Sequence, residues 1–179
     1  MSTTTNRLES RIAGITLEGY PHSTSALFVV ITRLVVGGMM LFAGLGKVTA
    51  WPFDASGYLV HGVDPASPVS GMYAAMAANE MLLATINVLI PITQVLIGLA
   101  LILGVFVRLA ALGGALQMFA FYLGGWEGGL LAIFDSTLIY AVIFLTLGAL
   151  AAGRIAGLDR YIEQSQLVER YPALRYLLG

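Results

Sequence analysis

The chain of 179 residues has no cysteine, only two histidines, and charged residues at just 11% of its length. Without cysteine there is no disulfide, no thiol redox chemistry, no thiolate-bound metal and no iron–sulfur cluster within this polypeptide. His22 and His61 fall on opposite sides of the membrane by the topology derived below, so neither haem nor zinc is expected and no metal site is assigned. Soluble domains carry roughly twice this share of charge. A formal net charge of -1 also lacks the basic excess through which nucleic acid is bound. The first residues, MSTTTNRLES, lead into a mildly amphipathic stretch with Leu8, Ile12 and Ile15. A basic segment running into an apolar one with a small-residue cleavage site is missing there, so no cleaved signal peptide is expected.

What the chain does have is hydrocarbon: 58% hydrophobic residues and a mean hydropathy of +0.86. The apolar residues gather in four runs, Ala26–Gly46, Met81–Phe106, Leu109–Gly124 and Leu130–Gly153. About 20 apolar residues cross the roughly 30 Å hydrocarbon core as a helix. Three runs meet that length; the third is short and borrows Arg108 and the Trp126 region as its ends. Backbone polar groups in lipid must be satisfied within the segment, so each run is expected to be a helix. The expected fold is all-α: an integral membrane four-helix bundle with a long outer loop and a C-terminal amphipathic interfacial helix. Residues 1–25 then form an N-terminal segment, 26–153 the bundle with spans at about 26–46, 81–106, 109–124 and 130–153, and 154–179 a tail.

Basic residues orient the spans. Arg7 and Arg11 precede the first, Arg108 lies between the second and third, and Arg154, Arg160, Arg170 and Arg175 follow the fourth, whereas the other side has only Lys47. Four spans put both termini on one face, and the excess of arginine makes that face cytoplasmic in a multi-pass plasma-membrane protein. Trp51 and Trp126 then lie at the outer interface, where amphipathic rings are favoured.

The outer loop between Lys47 and Glu80 is punctuated by Pro52, Pro65 and Pro68, with a short helix expected over Met72–Asn79. Loops this long are usually functional or mobile, so it reads either as a lid over the outer end or as a hairpin lying on the headgroups. After Gly157, Leu158, Tyr161, Ile162, Leu167, Val168, Tyr171 and Leu174 recur at near-helical spacing among charges, the pattern of a surface-bound helix that Pro172 breaks or restarts.

Polar residues inside the spans are the candidate site. Arg33, Gly37, Met40, Gly44 and Lys47 form one stripe at helical spacing, with small residues that let a neighbouring helix approach. Arg33 lies about two turns, roughly 10 Å, from the inner end. It reads either as a snorkelling headgroup anchor or as a ligand for an anion or carbonyl. Asn87, Pro91, Gln94 and Gly98 share a face of the second span, and Pro91 frees a carbonyl there. Asn87 and Gln94 serve either as interhelical glue or as ligand contacts. Gln117 of the third span, at the depth of Arg33, is its expected uncharged partner. Glu80 and Asp135 at the outer end offer ion pairs to Lys47, or are merely interfacial charges of similar depth.

The order of Arg33, AGLGK at Ala43–Lys47, Glu80, Gly104 with Arg108, Asp135 and AGRIAGLD at Ala152–Asp159 resembles the DoxX-like family. The closing GR-x-x-GLD is similar to the DoxD branch, the small subunit of thiosulfate:quinone oxidoreductase. The resemblance runs from about Thr32 to Asp159. It implies a membrane protein linked to quinone reduction, with a membrane quinone as substrate and no covalent or metal-bound cofactor. Thiosulfate, a dianion, needs fixed positive charge, for which Arg33 and Lys47 are the candidates. A quinone needs an apolar slot and a hydrogen-bond donor, for which Asn87, Gln94 and Gln117 are the candidates. The expected partners are the bilayer and a second membrane subunit or further copies of the chain. An accessory subunit of a larger respiratory complex, and a small transporter or lipid-handling protein, remain as alternatives.

Overall fold

The structure is a computed structural model that describes residues 8–12, 15–19 and 24–179. The all-α bundle comprises α1 (Ser25–Thr49), α3 (Glu80–Leu103), α4 (Val107–Gly124) and α5 (Ser136–Ala149), with α2 (Ser70–Ala78) in the long loop. Before the bundle, β1 (Leu8–Ile12) and β2 (Ile15–Gly19) pair antiparallel from Leu8↔Gly19 to Ile12↔Ile15. Three helices, α1, α3 and α4, are long and apolar enough to cross a membrane, and α5 is a shorter apolar fourth.

Local chemistry sets the helix ends. Asn79 caps α3, its side-chain oxygen accepting from the amides of Met81 and Leu82 at 3.1 Å each. At the other end Gly104 takes φ +68°, the left-handed conformation that glycine adopts without steric cost and that commonly closes a helix. Asp135 begins α5 by accepting from the amide of Thr137 at 2.7 Å. That cap divides the run expected to span 130–153: residues Leu130–Phe134 form a separate 3₁₀ turn, α5 has 14 residues, and Ala152–Arg154 form another 3₁₀ turn. The shortest of the four is therefore α5, about 21 Å long, rather than α4 with its 18 residues.

The helices pack as two tight pairs. In α1 and α3 the glycines set the approach: a Cβ on Gly44 would lie 2.7 Å from the amide nitrogen of Val95, and one on Gly98 2.5 Å from that of Leu41. In α4 and α5, Gly114 lies under the Phe144 ring and Gly148 against Ala111. Contacts between α3 and α4 join the pairs, while α1 and α5 barely touch. Val36, Met40, Leu101, Met118, Phe144 and Leu147 fill the shared core.

The long loop covers the end of the bundle at which the first span closes and the second opens. It folds into a cap with its own core of Ala55, Leu59, Val63 and Tyr73, packed on Leu83 and Ile86 of α3. Four hydrogen bonds fix it to the bundle. The amide of Ala55 donates to Asn87 Oδ1 at 2.8 Å, Ser67 Oγ to the Leu123 carbonyl at 2.5 Å, Tyr73 Oη to the Ala120 carbonyl at 2.8 Å, and the Asp64 amide to the Gly124 carbonyl at 2.8 Å.

The tail is helical in short pieces instead of one helix: α6 (Asp159–Ile162), α7 (Gln166–Arg170) and a 3₁₀ turn begun by Pro172. It folds back beneath α4, burying Val168 and Leu178 and accepting at the Leu177 carbonyl from the Leu109 amide of α4 at 3.3 Å. Tyr161, Tyr171 and Tyr176 remain exposed. The two faces of the bundle are named below the cap end and the tail end.

Candidate functional site

Arg33 is the largest fully buried side chain, 1% exposed, on the α1 stripe with Gly37, Met40 and Gly44. Its guanidinium donates to three backbone carbonyls of the segment after α5: Nη1 to Ala152 at 2.6 Å and to Ile155 at 2.9 Å, and Nη2 to Ala156 at 3.0 Å. Two alanines with positive φ, Ala151 and Ala156 at +50°, curl the segment around the charge. Gly104 and Gly157 make room, since a Cβ on either would come within 2.8 Å of Arg33 Nη1. Carbonyls at a helix end carry partial negative charge, so a cation belongs there.

Asp159 completes this knot from the opposite sign. Fully buried, its carboxylate accepts from the amides of Phe106 at 2.7 Å, Val107 at 3.0 Å and Gly179 at 2.9 Å. Phe106 and Val107 open α4, so Asp159 caps that helix from 52 residues away, the task usually done by the residue just before a helix. It also lies within electrostatic reach of Arg33. The arginine is thus neither snorkelling nor open to an external anion. The depth expected for it also changes. Arg33 is level with Gly104 and Ala152, the tail ends of α3 and α5, because α1 begins about two turns beyond its neighbours.

Gln117 is not the partner of Arg33: its Nε2 reaches Thr93 Oγ1 at 3.4 Å. Lys47 donates to the Ala43 carbonyl at 3.1 Å and lies 5.8 Å from the centre of the Phe53 ring. It makes no ion pair with Glu80 or Asp135, so the outer charge cluster does not assemble. Asp135 is held by Thr137, through both hydroxyl and amide, which keeps its carboxyl below the usual range. Asn87 is occupied by the cap. Among the described residues no three histidines or carboxylates converge as metal ligands; His22 lies outside those residues.

Among the described residues three buried side-chain atoms have no partner: Arg33 Nε, Gln94 Oε1 and Gln117 Oε1. Gln94 is 2% exposed. By helix rise, Gln94 lies about 14 Å from the tail end of α3 and Gln117 about 15 Å from the tail end of α4. Helix rise thus puts two carboxamide oxygens with unmet bonding capacity at similar distances from the tail end, and puts Gln117 deeper than the two turns expected for it. Sequence reasoning missed Asp159 as the α4 cap and the open seam between α1 and α5. Both depend on contacts between segments too far apart in the chain for helical spacing to relate them.

No solved structure matches this chain. The sequence model of the DoxX family matches residues 28–125, more than half the chain and the stretch holding the α1 stripe, the cap and both glutamines; this membrane protein belongs to the DoxX family.

Proposed function

We propose that this chain is the quinone-binding membrane subunit of an oxidoreductase complex in the plasma membrane, with its tail end cytoplasmic. The observation that carries this reading is the pair of buried carboxamide oxygens without a partner, Gln94 Oε1 and Gln117 Oε1, at similar distances from the tail end by helix rise. A buried acceptor without a partner costs about 1–3 kcal/mol, which the hydroxyls of a bound quinol relieve by donating to the two Oε1 atoms. A carboxamide offers both an acceptor and two donors. The same two side chains thus serve a quinone carbonyl and a quinol hydroxyl.

For thiosulfate as donor, two thiosulfate ions joined as tetrathionate release two electrons, which with two protons reduce one quinone to quinol. Lys47 is the cation left for such an anion, since Arg33 is committed to backbone carbonyls. A second subunit carries the electrons if the two substrates do not meet directly. The accessory-subunit reading draws on a different observation: Arg33, Asp159, Asn87 and Asp135 all spend their polar groups on internal bonds.

The test is purification in mild detergent, with quinones and proteins that co-purify identified by mass spectrometry, followed by quinone titration of the stripped protein. Retained quinone that is lost in Gln94→Leu and Gln117→Leu while both variants stay folded supports the quinone site. A chain that binds no quinone yet co-purifies with a fixed set of membrane proteins is an accessory subunit.

A further inference from the structure

The seam between α1 and α5 opens sideways as a groove of about 200 Å³, lined by Phe28, Val29 and Thr32 of α1, Ile143 and Thr146 of α5, and Leu150 just after it. It is apolar apart from two threonines. In lipid a threonine hydroxyl normally bonds to a carbonyl of the preceding helical turn. Thr49, Thr85, Thr93 and Thr146 all do so, at 2.7 to 2.9 Å. Thr32 makes no such bond, and the residue lines the groove.

Depth and charge name the occupant. Thr32 adjoins Arg33, which is level with the ends of α3 and α5. Thr32 therefore lies at the rim of the hydrocarbon, where the ester carbonyls of phospholipids sit, and not at the bilayer centre. Beyond the groove on the same side come Arg154, Arg160, Arg170 and Arg175, all exposed, against Glu163 and Glu169 as the acidic residues of the tail besides the buried Asp159. Arg154 is four residues past Leu150; it pairs with Glu163 through Nη2 at 2.6 Å.

We infer that this groove is a binding site for one anionic phospholipid of the leaflet at the tail end. An acyl chain lies between α1 and α5, an ester carbonyl accepts from Thr32 Oγ1, and the phosphate lies among the tail arginines. The site is separate from Gln94 and Gln117 and stands whether or not the chain binds quinone.

The full chain, reconstituted in phosphatidylcholine with phosphatidylglycerol as the minority lipid, is released into native mass spectrometry and the retained lipids are counted. One phosphatidylglycerol is retained in preference to phosphatidylcholine. Thr32→Val lowers that retention about fivefold, the equivalent of one net hydrogen bond, and Thr32→Ser restores it. Thr146→Trp, an exposed position that fills the groove, abolishes it, while Ile92→Trp on a lipid-facing surface of α3 leaves it intact. Equal retention of the two lipids overturns the charge assignment. Retention unchanged in both Thr32→Val and Thr146→Trp overturns the site. A quinone displaced by Thr146→Trp, with no phospholipid lost, gives the groove to quinone and overturns the proposal. Thermal unfolding of each variant identifies any loss caused by misfolding, and the Ser rescue decides the case if Trp does not fold.

Discussion

Arg33 and Asp159 solve one problem with opposite charges: helix ends buried at the tail end leave backbone groups without partners. Arg33 takes three carbonyls after α5, and Asp159 takes two amides that open α4. Arg33→Met is therefore expected to destabilise the fold by about 3–5 kcal/mol, as when one member of a buried charged network is removed. Arg33→Lys should recover only part of this, because an ammonium lacks the planar fork. Asp159→Asn keeps an acceptor and should cost less than Asp159→Leu, which leaves every amide bare. Thermal unfolding in detergent ranks the four variants. A parent-like Arg33→Met would show that the knot contributes nothing.

At the scale of elements, the glycines divide by what they face. A Cβ on Gly38 meets nothing within 4 Å, whereas one on Gly44 runs into the α3 backbone. Gly38→Ala should stabilise by up to about 1 kcal/mol through helix propensity. Gly44→Ala should destabilise by about 1–3 kcal/mol through overpacking. Chemical unfolding of the two reads the difference in sign.

The cap makes a pH prediction. Burial raises the Tyr58 phenol to about 12, in an edge-to-face cluster with Tyr73 and Phe121 at 6.4 and 5.5 Å. Below the ordinary value of 10.0 both folded and unfolded states hold the proton, and the cap keeps its full stability. As pH rises from there toward 12 the unfolded state ionises first, and stability is lost. Tyr58→Phe should remove most of that alkaline loss, read as melting temperature against pH. A slope identical to the parent's would place the alkaline weakness elsewhere.

For the whole molecule, both termini of the bundle lie at one end and the cap at the other. The cysteine-free chain lends itself to single-cysteine labelling. Ser67 is buried and unsuitable, but Ala66 and Gln164 are exposed. With the tail end cytoplasmic, Ala66→Cys reacts with an impermeant thiol reagent on intact cells and Gln164→Cys only after permeabilisation. The reverse pattern would invert the orientation.

The sequence by itself determined a helical membrane bundle, because long apolar runs admit no other way to satisfy the backbone in lipid. It also determined the buried stripes of α1 and α3, since residues three and four apart share a helix face wherever the helix packs. Arg33, Gly37, Met40 and Gly44, and likewise Pro91, Gln94 and Gly98, are buried as their spacing requires. What met those stripes was not legible. Helical spacing reports a direction but no neighbour: it puts Gln117 at the depth of Arg33, whereas the chain after α5 folds back to bind the arginine and Gln117 turns to Thr93. The same holds for Asp159, whose partners open a helix 52 residues earlier, and for Lys47, whose nearest ring comes from the cap. Only the tertiary structure decided these, because each is a contact between segments that nothing in the local sequence relates.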